Sequence, residues 1–473
     1  MAADRPYGPR RILLPLLLLL LSLPASADKL VLLSPHSDEI QNEFSAAFEQ
    51  HYEAQTGRPI SLEWLDVGGG TSSIMRYIKG EFVRTPQSIE IDLFFGGGLD
   101  PYTELAEMGL FEAYRLPDDL LDRVPARIGG GIPVYDAEYR WYGATLAGFG
   151  IVYNRKVLDI LGFPVPDSWE DLGEPKYASW VGSGDPRFSG SVHMAYELIL
   201  QAYGWEKGWE VITRMGANVR NFGASGSAAP KDVAVGEVAY GLSIDFYAWA
   251  QMKEVGDDFV GFTMPDNMTI VNPDGIAILK GAPNPEPARE FIRFVMSEPG
   301  QKLWFFKQGA PGGPLKAQLN RFTVVPELYD RYRDEAAVTL NPFSWRSDLA
   351  YDSAKASARW SVLNDLIGVL VIDSHDRLRA AWSRVQSGGL TDEEIRSLCA
   401  VPVSEAAALE LGRTWRSDPR LRIEKLDEWS AFAREKYGEA RTGWSRTFDV
   451  VTLVFPLLIA VGTVVMVRRT GGV

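Results

Sequence analysis

The chain has 473 residues, with 62 acidic side chains against 48 basic ones, a formal charge of −14, and a single cysteine. That length is more than one small module needs, and the 46% hydrophobic content excludes wholesale disorder. The acidic balance argues against a nucleic-acid surface, and the lone Cys399 excludes an internal disulfide framework or a cysteine-based metal cluster.

Taken in chain order, Arg10-Arg11 precede the leucine-rich run 12–23, and Ala25-Ser26-Ala27 ends in a small-x-small pattern. Residues 1–27 therefore read as a signal peptide, because twelve apolar residues at ~1.5 Å each fall short of a ~30 Å bilayer core. Lys29–Leu33 reads as a buried strand and is followed by a helix with Ile40, Phe44, Ala47 and Phe48 on one face. Ile60–Val67 is expected as a second strand, leading through Gly68-Gly69-Gly70 into a helix. Ile89–Phe95 is expected as a third, closing in Gly96-Gly97-Gly98. This order is that of an open α/β sheet, whose ligands gather at the carboxyl ends of strands.

The plan repeats in the middle of the chain. Strands are expected at Ala178–Gly184, Val238–Ile244 and Gly275–Leu279, with a helix over Pro287–Met296. Extended crossings near Trp141–Gly148 and Phe262–Ile270 would join two lobes. Helical spacing dominates from Ser353 to Lys436 and marks an extension. The uncharged run 450–467, closed by Arg468-Arg469, is long enough for one transmembrane helix with the body outside the cytoplasm. Setting aside Asp4, Arg5, Arg10, Arg11, Arg468 and Arg469 leaves 43 basic and 61 acidic side chains, so the exported portion carries −18.

Three segments share one design of strand, small polar residues with glycine, then helix. They contain Thr71 and Ser72, Ser189 and Ser191, and Ser225 and Ser227. Helix N-termini offer unpaired amides and a positive dipole end, so three of them facing one cleft can hold an anion without formal positive charge. Each serine or threonine can equally be an ordinary N-cap. Ser34 and His36 follow the first strand, where His36 can contact a ligand or sit on the surface before a helix. Gly97 lies in the loop after the third strand. Asp245 and Tyr247 leave a strand end together, either as ligand contacts or as a turn residue and a packed aromatic. The four histidines have no metal-ligand spacing, and no Gly-x-Ser-x-Gly, His-Glu-x-x-His or Walker pattern occurs, so neither metal nor cofactor is expected.

An ordered series of short motifs accompanies these segments. It comprises Trp141-Tyr142-Gly143, Ile151-Val152-Tyr153-Asn154, Pro166-Asp167-Ser168-Trp169-Glu170-Asp171-Leu172 and Gly184-Asp185-Pro186. It continues through Ser189-Gly190-Ser191, Ser225-Gly226-Ser227, Val235-Gly236-Glu237, Pro273-Asp274-Gly275 and Gly281-Ala282-Pro283. Over residues 29–345 the chain thereby resembles extracytoplasmic solute-binding proteins of bacterial ABC importers, in the ferric-iron, phosphonate and thiamine branch. The resemblance implies an α/β, two-lobe type 2 periplasmic-binding-protein fold. Its parts would be lobe 1 over 28–143, lobe 2 over 144–270, a return to lobe 1 over 271–345, and the helical extension 346–447.

The resemblance also implies a monomer that is not an enzyme and hands a small solute to permease subunits. Iron-binding members use a histidine and a carboxylate from the first lobe and a Tyr-Tyr pair from the second. Here His36 fits the first place, Gly96-Gly97-Gly98 replaces the acid, and Phe246-Tyr247 supplies one phenol. The expected solute is therefore a phosphonate, phosphate ester or carboxylate. A ferric-iron receptor, an anchored enzyme acting on a phosphorylated substrate and a signalling subunit are the alternatives.

Overall fold

The computed structural model describes residues 27–129, 131–338, 340–344, 347–387 and 391–438. The expected signal segment up to residue 26 and the expected span 450–467 lie outside the described residues. Among the described residues, no helix is long and apolar enough to cross a membrane.

One strand organises the molecule. Tyr142–Asn154 is thirteen residues long and buried throughout. Its first half pairs antiparallel with Val271–Leu279, Gly148 opposite Val271, and its second half pairs with Tyr240–Ile244, Phe149 opposite Ile244. The two halves thus belong to two different sheets' worth of core. Across the full path the order is Ile60–Leu65, Asp28–Leu33, Leu93–Phe95, Val271–Leu279, Tyr142–Asn154, Tyr240–Ile244, Val181–Gly184, Val219–Gly223. The three N-terminal strands run parallel, Leu32 opposite Leu93, which requires the crossover helices Asp38–Thr56 and Thr71–Arg84.

Several strand boundaries differ from the sequence expectation, some starting later and one earlier. The third strand begins at Leu93 rather than Ile89, and the Asp92 carboxylate just before it accepts the Val31 and Asn284 amides. The strand in the second lobe begins at Val181 rather than Ala178, and the last begins at Val271 rather than Gly275. Val219–Gly223 and Val260–Thr263 are strands that the alternation did not reveal.

Two cores result. One gathers Leu30–Leu33, Phe94, Phe95, Tyr142, Ile276–Leu279 and Phe291. The other gathers Ile151, Tyr196, Trp209, Tyr240 and Leu242. The C-terminal helices, from Ser353–Ile367 through a π-helical turn at Gly368–Ile372 to Pro419–Tyr437, share the second core through Leu363, Leu366, Trp382, Trp415 and Trp429. Arg359 fixes them there: its guanidinium and the Glu197 carboxylate are both fully buried, 2.7 Å apart. The extension is therefore part of the second body, not a spacer beside it.

Candidate functional site

The cleft between the two bodies is shut. Gly70 of the first donates its N–H to the Phe188 carbonyl of the second at 2.9 Å, and Ser72 Oγ donates to Pro186 O at 3.2 Å. A cavity of 280 Å³ remains inside, at the small end of small-molecule sites. Strand ends and helix starts from both bodies line it, which is where an α/β sheet places its ligands.

Close approach explains the glycines around it. Residues 96–98 all adopt positive φ, a region open to glycine at little cost. A Cβ on Gly96 would lie 2.7 Å from His36 Nε2, and one on Gly97 2.7 Å from Thr71 Cγ2. From the opposite body, a Cβ on Gly190 would lie 2.8 Å from Thr71 Cβ. Thr71 is thus held between a glycine of its own lobe and one of the other.

Seven of the eleven candidate residues line the cavity: His36, Thr71, Gly97, Ser189, Ser191, Ser225 and Tyr247. Ser189 Oγ and Ser191 Oγ are 3.1 Å apart. Only Ser189 also acts as an N-cap, accepting from Val192 N–H at 3.4 Å. The helix Thr71–Arg84 has Gly70 as its N-cap, so Thr71 is released toward the cavity.

Four candidates are elsewhere. Ser34 Oγ accepts the His36 amide at 3.1 Å. Ser72 is committed to Pro186. Ser227 stands behind Ser225, their hydroxyls 2.9 Å apart. Asp245 turns inward, accepting the Gly148 and Phe246 amides at 2.6 Å each. Burial raises its pKa to about 7, against the pull of the Gly148 amide and Arg321.

The structure adds residues that sequence reasoning missed. Asp274 lines the cavity from the return strand; its Oδ1 accepts the Gly97 and Gly98 amides, and its Oδ2 pairs with Arg321. The acid absent from the glycine loop is therefore supplied to that loop from another strand. Arg321 is fully buried, with its guanidinium carbon 3.8 Å from the Phe246 ring centre, and burial lowers its pKa to about 10. His36 Nε2 lies 3.2 Å from Asp274 Oδ2, and burial followed by Arg321 holds its pKa well below the usual value.

Asn272 is the most informative addition. It lines the cavity with 1% exposure, and its Nδ2 has no hydrogen-bond partner. A buried amide donor left unpaired costs about 1–3 kcal/mol, so it is suited to an acceptor brought by a ligand. Trp360 of the extension closes another side, stacked on His193 with ring centres 3.5 Å apart. Asn272-Pro273-Asp274 is a polar interruption in an apolar strand, a signal the sequence did carry.

An α/β body with two large cores joined through the strand Tyr142–Asn154, closed over a cavity with several polar side chains, fits a solute-binding receptor of the importer type. The chain belongs to the family of bacterial extracellular solute-binding proteins, whose pattern it matches over residues 88–327. Membership places its body outside the cytoplasm and makes it a transport receptor for a small molecule.

Among relatives, it is 28% identical over 268 residues to an uncharacterized protein of Haemophilus influenzae, covering 56% of this chain and 71% of the other. It is 27% identical over 184 residues to the phosphoglycerate transport regulatory protein PgtC of Salmonella typhimurium, covering 39% and 45%. The chain thus spans under half the length of that second relative.

Among solved structures, the periplasmic binding protein AfuA of Actinobacillus pleuropneumoniae, with fructose-6-phosphate bound, matches at 22% identity and a TM-score of 0.54, covering 70% and 90%. Iron-bound HitA of Pseudomonas aeruginosa matches at 22% and 0.54, covering 72% and 99%. These two likenesses establish the fold.

Proposed function

We propose that the chain captures a small phosphoryl- or carboxylate-bearing solute between two lobes, residues 28–143 with 271–345 and residues 144–270, for delivery to an ABC permease. The observation that carries this reading is the unpaired Asn272 amide facing a cavity whose polar lining includes the Thr71, Ser189, Ser191 and Ser225 hydroxyls. The one carboxylate of the lining, Asp274, is already taken by Arg321 and two amides. An acceptor-rich ligand satisfies such donors, and AfuA, which shares the fold, binds fructose-6-phosphate.

Ferric iron fits this lining poorly. It favours several hard oxygen ligands, whereas the cavity offers one phenol, Tyr247, whose pKa is raised by burial, and a committed carboxylate. An enzymatic reading has less support, since burial and Arg321 make His36 a weak base and Asp274 is paired with Arg321. Export through residues 1–27 and tethering by 450–467 are proposed from the charge and apolar pattern of those segments, with the extension 346–447 carrying the body.

Calorimetry against sugar phosphates, phosphonates, carboxylates and ferric iron tests the assignment. Ser225→Ala with Ser227→Ala is expected to weaken binding of the solute at least tenfold, roughly 1.4 kcal/mol. Most of that loss falls on Ser225, because Ser227 lies behind it. Unchanged affinity in the double variant overturns the anion-site assignment. Tight ferric-iron binding, or turnover of a phosphate ester, overturns the reading as a whole.

A further inference from the structure

A second and larger cavity, 500 Å³, lies outside the cleft, where both lobes meet the extension. Its cations come from all three parts: Arg76 and Lys79 from the helix Thr71–Arg84, Arg187 from the second lobe, and Arg416 and Arg422 from the extension. One carboxylate, Asp365, shares the lining. Counted with the four carboxylates that pair with them, Asp365, Glu104, Asp185 and Asp373, the five cations leave a local positive surplus in a chain of net charge −14.

Some of this charge is neutralised in place. Arg422 Nε lies 2.8 Å from Asp365, Arg416 Nη1 3.0 Å from Glu104, and Arg187 pairs with Asp185 and Asp373. Lys79 also meets Glu104, so one carboxylate serves two cations. Arg76 has no ion pair among the described residues: its Nη1 donates to the Arg187 carbonyl at 2.6 Å and its Nη2 to Ser73 Oγ at 2.9 Å. The Arg416 guanidinium is pulled down to about 10, first by burial and then by Arg76 and Arg422. The three arginines therefore press on one another across the join of lobe and extension, which is the condition a multivalent counter-ion relieves.

We propose that this chamber is a second anion site, taking a compact multivalent oxyanion of the phosphate or pyrophosphate class. Its concave shape between lobe 1, lobe 2 and the extension favours a small ion over a flat surface. An anion seated there links lobe 1, lobe 2 and the extension at once and holds the cleft shut without entering it. The site is independent of the solute assigned to the cleft.

The test is calorimetric titration of the full-length protein with pyrophosphate at low and high salt. The expected result is binding that weakens with salt and falls at least tenfold in Arg76→Gln. It should be unchanged in Arg84→Gln, an exposed arginine on the same helix, and in the cleft variant Asn272→Leu. Should Arg76→Gln fold poorly, Arg422→Gln, with a half-exposed side chain, reads the same loss. Binding lost in Asn272→Leu but kept in Arg76→Gln overturns this proposal and leaves the cleft assignment standing. Binding only to phosphatidylglycerol vesicles, with none to pyrophosphate, also overturns it. Pyrophosphate binding with no solute bound by the cleft leaves this proposal standing and removes the other.

Discussion

Gly190 sits so close to Thr71 that a Cβ on the glycine would lie 2.8 Å from the threonine Cβ, and the two residues belong to opposite lobes. The shut state therefore depends on a missing methyl group. Gly190→Val, on the first turn of its helix, is expected to hold the lobes apart. Solution scattering should show a larger radius of gyration, solute affinity should fall at least tenfold, and the melting temperature should change little. A wild-type scattering profile with bound solute would contradict this account of closure.

The Asp274–Arg321 pair behind the cavity predicts an asymmetric mutational pattern. Asp274→Asn takes from a fully buried guanidinium the carboxylate in direct contact with it, a change that costs up to about 3–5 kcal/mol in such pairs. Adding Arg321→Met removes that charge as well. In urea unfolding the double variant is expected to be more stable than Asp274→Asn alone; equal or lower stability would show that the pair does not act as a unit.

Asp245 has a defined pH signature. Its folded-state pKa of about 7 exceeds the ordinary 3.8, so the folded state keeps a proton that the unfolded state releases. Its contribution is full below pH 4 and is lost as pH rises to 7, by at most about 1.4 kcal/mol per unit. His36 and His193, whose pKa values are lowered by burial, act in the opposite sense below their ordinary 6.5. The readout is therefore the difference between wild type and Asp245→Asn from pH 4 to 7. That difference should slope; a flat one removes Asp245 from the pH response.

Arg359 anchors the extension through Glu197 and also reaches Glu405 at 2.6 Å. Arg359→Met is expected to loosen the C-terminal helices, leaving the Glu197 carboxylate buried and unpaired. Limited proteolysis should cut between residues 340 and 400 much faster than in wild type, and a wild-type cleavage pattern would mean that apolar packing alone holds the extension.

What the sequence revealed about the site was local. Thr71, Ser189 and Ser225 follow glycine-rich strand ends, and that pattern is complete within a dozen residues. Ser72, Ser227 and Asp245 satisfy the same local pattern, but their partners, Pro186, Ser225 and the Gly148 amide, are chosen by the packing. Asn272, Asp274, Arg321 and Trp360 reach the cavity region from the return strand, a buried loop and the extension. Nothing nearby in sequence marks what they face. The order of the N-terminal strands was legible because parallel strands need crossover helices with their own periodicity; Val260–Thr263 was not, since four residues are too few to show alternation.

The extension grips both lobes unequally. It shares a core with the second through many residues, while its hold on the first is smaller: Leu349 and Tyr351 against the first core, with Ser357 Oγ to Asp100 O at 3.1 Å, Tyr351 to the Asp100 carboxylate, and Arg416 to Glu104. Opening the cleft must break one set, and the smaller set is the weaker. Each kcal/mol held in those contacts multiplies the shut population about fivefold before any solute arrives. Such a receptor spends less of its binding energy on closing, yet must overcome the same contacts to let go, so release at the permease becomes the step that the extension governs.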